Sequence, residues 1–285
     1  MPRLHRIATM DIIETIDGAL VQHGPHNDRI YLMQLRNADP CRIPATLEAL
    51  AHQKGYGKVF AKIPATVWPN FLSAGYTQEA LVPGFFKGRT AGVFAAKYFS
   101  NARRQIPPEE RRLERIGPRG GESADPVHRP GRSRRVVAAC RPQDAEELSR
   151  IYRQVFATYP FPVNRPVYLK HMMQEGVRYF AVRAQGRIAA AAAAEIEQRE
   201  QHAEMTDFAT LPRHRGRGMA GSLLRHMEKT ARALDIKTAF TIARAASPGM
   251  NAVFRKNRYR YAGLLRNNTQ IAGRLESMTV WYKSL

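Results

Sequence analysis

One stretch concentrates the residues whose types and spacing could do chemistry. Residues 202–221 read HAEMTDFATLPRHRGRGMAG. Two carboxylates, Glu204 and Asp207, stand on a β-like run that stops at Pro212, and a turn of arginines and glycines then opens into a helix. Gly216 and Gly218 let the backbone turn tightly and approach a ligand, and the first N–H groups of a helix have no intrahelical partners. Together with the positive helix end these suit a pyrophosphate, and Arg213, Arg215 and Arg217 add formal charge. The turn is neither the G-x-x-x-x-G-K-S/T loop of nucleotidases nor G-x-G-x-x-G, which argues against nucleoside triphosphates and NAD. On spacing alone, a diphosphate cradle and a plain basic turn stand even.

The elements that must hold this stretch follow from periodicity. After it, Met219, Ala220, Leu223, Leu224, Met227, Ala231 and Leu234 share one helical face. Residues 135–285 predict the order strand, helix, helix, strand, strand, strand, helix, strand, helix, strand, strand. Residues 179–184 and 188–197 predict a hairpin about Gln185-Gly186, although the six consecutive alanines at 189–194 favour helix. Residues 1–102 predict a smaller α/β unit: strands at 29–35 and 58–63, helices at 47–54 and 69–74, and a hairpin of 79–86 with 91–99. Residues 103–134, rich in Pro, Gly, Arg and Glu, cannot recover their ordering entropy by burial and read as a linker.

Composition bounds the rest. The 285 residues suggest two domains, and 44% hydrophobic content excludes a wholly disordered chain. The longest apolar run, residues 188–194, is far short of the roughly 20 residues of a membrane span. Asp11, Glu14 and Asp17 interrupt any signal-peptide core. Cys41 and Cys140 make neither a disulfide framework nor a CxxC pair, and the histidines lack metal-ligand spacing. The expectation is a soluble, cytoplasmic protein that uses no metal. Net charge is +21, and residues 136–285 hold most of it, with 24 Lys and Arg against 12 Asp and Glu. Without a long basic helix or an aromatic stacking platform, a solvated basic surface is preferred over a nucleic-acid site.

Taken together, these residues resemble a known superfamily. Residues 215–220, Arg-Gly-Arg-Gly-Met-Ala, fit the Q/R-x-x-G-x-G/A signature of the GNAT acetyltransferases, and Arg213-x-x-Gly216-x-Gly218 fits it in an overlapping register. Residues 251–259, NAVFRKNRY, are similar to the second motif, N-x-x-Y-x-K-x-G-F. This likeness covers residues 135–285 and implies a mixed α/β acyltransferase fold. Further segments resemble the beta-lysine N-acetyltransferase family: TDFATLP at 206–212, KTAFTIARA at 237–245, RNNT at 266–269 and ESM at 276–278. In the first hundred residues NDRIYLM, FAKIP and GFFKG do the same.

The resemblance implies a site and a reaction. Acetyl-CoA would be the co-substrate, with its pantetheine arm along the backbone of Phe208, Ala209 and Thr210 and its pyrophosphate on Arg215, Gly216, Arg217, Gly218, Met219 and Ala220. Asn251 would contact the cofactor or cap its helix. Amine attack on the thioester needs a base, for which Glu204 is preferred over Asp207. On a regular strand those two face opposite ways unless a bulge intervenes. A backbone N–H near Ala209 would meet the oxyanion. Phe254 replaces the tyrosine that would protonate the departing thiolate, and Tyr259 and Tyr261 are nearby substitutes. Asp207 and Glu276 would meet ammonium groups of beta-lysine, and Arg244 its carboxylate. Another amine (polyamine, aminoglycoside or protein lysine), a non-catalytic acyl-CoA or nucleic-acid binder, and a homodimer all stay open.

Residues 55–64 with Phe71 to Tyr76 echo residues 236–245 with Phe254 to Tyr259, at equal aromatic spacing. That echo predicts that residues 1–102 are a degenerate half of the same fold, lacking the glycine turn. Strand order is the test.

Overall fold

The computed structural model describes residues 11–106, 108, 110 and 136–285. Beyond Ile106, most of the segment read as a linker lies outside the described residues. The first half contains β1 (Ile12–Ile16), β2 (Ala19–Gly24), β3 (Arg29–Gln34), α1 (Ile43–Lys54), β4 (Lys58–Pro64), α2 (Trp68–Ser73), β5 (Thr77–Phe86), β6 (Thr90–Tyr98) and α3 (Asn101–Arg104). The second contains β7 (Val137–Ala139), α4 (Ala145–Val155), α5 (Pro166–Gln174), β8 (Arg178–Ala184), β9 (Arg187–Glu197), β10 (His202–Thr210), α6 (Met219–Ala233), β11 (Thr238–Arg244), α7 (Pro248–Lys256), β12 (Arg260–Ile271) and β13 (Arg274–Ser284). Among the described residues no helix is long and apolar enough to cross a membrane.

The second half follows the expected order of elements. Its polyalanine run is a strand, β9, paired on one edge with β8 and on the other with β10. Ala190, Ala192 and Ala194 pack in the core under α6, while Ala191 and Ala193 pack in the core under α4. A strand covered on both faces has no polar alternation to show, and small side chains let both helices come close. Packing here overrides a helical propensity of only a few tenths of a kcal/mol per residue. The β1–β2 hairpin, in contrast, was not foreseen, and α1 begins at Ile43 rather than at residue 47.

The thirteen strands of the described residues form one sheet in the order β1-β2-β3-β4-β6-β5-β12-β13-β11-β10-β9-β8-β7. Read from either end toward the middle, the halves match. β1-β2-β3-β4-β6-β5 and β8-β9-β10-β11-β13-β12 share order and direction, with one parallel pair each, β3–β4 and β10–β11. The aromatic echo is geometric too. Phe71 and Tyr76 rings lie 5.1 Å apart and Phe254 and Tyr259 rings 5.4 Å apart, both steeply inclined. In each, the tyrosine N–H returns to the phenylalanine carbonyl at 3.1 Å, and the residue before the tyrosine, Gly75 or Arg258, is left-handed. The first half therefore has the strand plan of the second, without counterparts of β7, α4 and α5.

The halves meet where β5 and β12 pair antiparallel, Ala80 opposite Gly263. A Cβ on Gly263 would stand 2.0 Å from the Glu79 carbonyl oxygen, so only glycine permits this approach. Beside it Lys58 donates to Glu79 at 2.8 Å and to the Arg266 carbonyl at 2.8 Å, while Glu79 also accepts from the Arg266 N–H. A shared core, including Phe60, Phe85 and Phe94 from one half and Phe240, Leu265 and Val280 from the other, closes the seam.

Candidate active site

Strands β10 and β11 pair only from His202–Thr238 to Glu204–Phe240. Past Glu204, β10 stays with β9 as far as Thr210, and β11 stays with β13 as far as Arg244. The facing edges of β10 and β11 are thus left without a ladder, and a cleft of about 1710 Å³ runs from this gap to the glycine turn.

The two carboxylates both reach that cleft, because β10 is bulged. Between Thr206 and Ala209 it advances three residues while β9 advances two, and Asp207 takes the left-handed region at φ 54°. The extra residue cancels the alternation that would have sent Glu204 and Asp207 to opposite faces. A third carboxylate joins them: Glu195 on β9 is the direct cross-strand partner of Glu204. Like charges directly opposite are destabilising in a sheet, and here they line a cavity. The protein walls, with Glu204 and Asp207 as neighbours, push Glu195 up to about 8. Burial raises Glu204 as well, against the pull of Lys62. Burial pushes Asp207 up to about 6, although Tyr159 and Thr206 both donate to its Oδ1.

The turn fits a coenzyme diphosphate. Gly216 (φ 71°) has nothing within 4 Å of where a Cβ would stand, and Gly218 (φ 77°) caps α6 in the left-handed region. Residues 215–222 line the cleft with the first turn of α6, and Arg225 joins them, held by Asn257 at 3.1 Å. Phe208 and Thr210 line the gap. Ala209 does not, and the oxyanion donor expected there needs correction. Leu211 donates to Ala189 on the β9 side, so the amide of Ala209, two residues back, faces β9 as well. It is Thr210, between them, whose amide turns to the gap.

Three other expected roles change. Asn251 does not line the cleft: its Nδ2 donates to the Arg244 and Ser247 carbonyls and its Oδ1 accepts from Thr279 and Trp281, fastening α7 to β11 and β13. Arg244 and Glu276 grip each other through two hydrogen bonds of 2.6 Å rather than meeting separate substrate groups. Tyr259 and Tyr261 are buried in the core, away from the cleft lining. Phe254, also buried, does line the cleft and stands edge-on to Phe208 at 5.6 Å.

Sequence reading missed Glu195, Tyr159, Arg29, Tyr31 and Lys62, all of which line the cleft. Tyr159 comes from the loop after α4, stacked on Phe156 at 4.6 Å. The acidic end of the alanine strand, where Glu195 breaks an apolar run, signals one of the five, and the family-like segments NDRIYLM and FAKIP contain Arg29, Tyr31 and Lys62.

A splayed parallel strand pair, a phosphate-cradling turn and carboxylates in the gap between them define a GNAT acetyltransferase. Residues 145–258 match the acetyltransferase (GNAT) family. The chain is 33% identical over 281 residues to the beta-lysine N(6)-acetyltransferase of Methanococcus maripaludis, covering 96% of this chain and 99% of that one. It is 32% identical to the N-acetyltransferase YodP of Bacillus subtilis, over 94% of this chain and 96% of that one. With the beta-lysine N(6)-acetyltransferase of Methanosarcina mazei the identity is 26%, over 85% and 97%. The chain belongs to the family of the beta-lysine N6-acetyltransferases, and it is an acetyl-CoA-dependent N-acetyltransferase.

Proposed function

We propose that this protein moves the acetyl group of acetyl-CoA to the terminal N6 amine of beta-lysine, making N-acetyl-beta-lysine, a compatible solute. The observation that carries this reading is the charge of the cleft. Beyond the arginines that line the coenzyme end, three carboxylates (Glu195, Glu204 and Asp207) share the cleft with Lys62 and Arg29 of the first half. Beta-lysine brings two ammonium groups and one carboxylate, the complementary set. A polyamine would bring no carboxylate to Lys62 and Arg29. The family likeness over nearly the whole chain supports the same substrate.

Acetyl-CoA supplies the activated acyl thioester. Residues 215–220 and the first turn of α6 hold its diphosphate, and the open edge of β10 at Phe208 and Thr210 holds its arm. An alkylammonium with an ordinary pKa of about 10.4 must lose a proton before it can attack. Glu204, where the strands part, takes that proton, and its raised pKa brings it toward the operating range of a general base. Asp207 holds ammonium charge, Glu195 joins it once an ammonium neighbour draws off its proton, and Tyr159 keeps Asp207 aimed. The amide of Thr210 meets the developing oxyanion. Phe254 can give no proton, and none is required at a leaving thiol whose ordinary pKa is about 8.5. Release of CoA thiol with beta-lysine, against alpha-lysine and spermidine, tests the assignment. A kcat/KM highest for beta-lysine is expected, and equal or higher turnover of spermidine would reject it.

A further inference from the structure

One wall of the cleft is not made by the catalytic half. Gln22 from β2, Arg29 and Tyr31 from β3, and Phe60 and Lys62 from β4 line it from the first half. Strand alternation puts Arg29 and Tyr31 on one face of β3, and Phe60 and Lys62 on one face of β4. The three carboxylates come from β9 and β10 of the second half, and the first half adds only cations, from β3 and β4; the arginines of the glycine turn and α6 are the second half's own.

The two lysines on that face of β4 have different fates. Lys58 is fully buried and committed to the seam, with Glu79 Oε2 at 2.8 Å and the Arg266 carbonyl at 2.8 Å. Lys62 is half-buried and opens onto the cleft. Its Nζ lies 5.3 Å from the Tyr31 ring centre and 5.4 Å from that of Phe240. Burial opposes its charge, but Tyr31 and Glu204 outweigh that and raise its pKa. Arg29 is anchored behind it, donating to the Asn268 carbonyl at 2.5 Å and to Thr269 at 3.3 Å on β12. Burial lowers the guanidinium to about 10, which leaves it cationic at neutral pH.

We propose that the first half forms the acceptor-carboxylate subsite of the enzyme: Lys62, backed by Arg29, binds the carboxylate of an amino-acid acceptor and selects amino acids over plain diamines. This rests on the amino-acid acceptor read above. A bound carboxylate replaces the water that Lys62 loses when the cleft fills. A diamine of the same length strips that water and returns nothing, so the subsite also works by exclusion. The repeat without a glycine turn thereby serves the active site of the repeat that has one.

The test uses acceptor pairs that differ only in the carboxylate, beta-lysine with 1,4-diaminopentane and lysine with cadaverine. CoA-thiol release is measured in the wild type, Lys62→Met and Lys62→Arg. The wild-type kcat/KM should favour the carboxylated member of each pair. Lys62→Met should cut that ratio about tenfold to a hundredfold, through KM, the range of a lost charge-assisted hydrogen bond. Lys62→Arg should keep most of it. Because each ratio is taken within one preparation, loss of folded enzyme cancels. Equal kcat/KM within the pairs in the wild type, or an unchanged ratio in Lys62→Met, overturns the proposal. So does a Lys62→Met enzyme whose kcat falls equally on both members with its acid limb moved to higher pH, since that assigns Lys62 to keeping Glu204 ionised beside Glu195 and Asp207. If beta-lysine is not acetylated, yet lysine is preferred over cadaverine only while Lys62 is present, the beta-lysine assignment fails and the subsite stands.

Discussion

The two halves run their strands in one order, yet they part company where the third strand of each hands over to its helix. After β10 the chain takes two left-handed glycines, at φ 71° and φ 77°, and enters α6 at Met219. After β3 it passes through residues 35–42, which hold no glycine, and enters α1 behind Arg42, itself in the helical region. The strands before those turns differ as well. Each carries an extra residue against its neighbour, β10 between Thr206 and Ala209 and β3 between Leu32 and Gln34, but β10 presents carboxylates whereas β3 presents Arg29 and Tyr31. The sheet supplies a frame that either half can use. The two left-handed glycines before the helix, and the side chains that each strand presents, separate the two halves.

That contrast can be broken or sharpened experimentally. The largest effect should come from Glu204→Gln, which removes the base and lowers kcat with beta-lysine by about 10²–10⁴ in steady-state thiol release. A loss below tenfold would move the chemistry elsewhere. Next, Lys58→Met removes one partner of the buried pair that joins the halves. Both members are nearly inaccessible, so the cost is about 3–5 kcal/mol in denaturant unfolding, and a shift under 1 kcal/mol would mean the seam does not depend on that pair. Third, Gly218→Val forces a branched side chain into the left-handed region, at about 1–2 kcal/mol, and should raise the acetyl-CoA KM roughly tenfold. Gly75→Ala, left-handed in the other half, should lower stability by a similar amount and leave that KM alone; parallel KM changes in both would erase the distinction between the halves.

The smallest effect concerns Glu195. Its folded pKa of about 8 lies above the ordinary carboxylate value of about 4.3, so the folded state holds this proton more tightly than the unfolded chain. The stabilisation is complete below the unfolded value and is lost as pH rises through 8. Glu195→Gln imitates the protonated form, and because Glu195 is exposed, solvent screens most of the effect. Its Tm should exceed the wild type by about 1–2 °C at pH 8.5 and match it near pH 4. A gain that persists at low pH would point to packing instead of charge.

How much was legible in the sequence differs from residue to residue. The glycine turn, the α6 face and the hairpin about Gln185-Gly186 are patterns among near neighbours in the chain. The repeat was legible because Phe71 and Tyr76 sit at the spacing of Phe254 and Tyr259, and that spacing encodes one helix end. The polyalanine strand showed the limit of propensity: its flanking turn indicated a strand, while its composition indicated a helix. Arg244, Glu276 and Asn251 were misjudged for a common reason. Their types suit a ligand, but an arginine and a glutamate on paired strands can neutralise each other, and an asparagine with four hydrogen-bond partners has nothing left for a coenzyme.

Local pattern therefore pointed to the class of chemistry and to the glycine turn, since a glycine-rich turn before an amphipathic helix is written within twenty residues. Only the assembled sheet brought Glu195 opposite Glu204, turned Asp207 onto the same face and carried Lys62 and Arg29 across from the other half. Those placements depend on strand register and on the order of strands in the sheet. A one-residue slip in register sends a side chain to the other face, and pairing partners come from distant parts of the chain, so no short stretch of residues contains them.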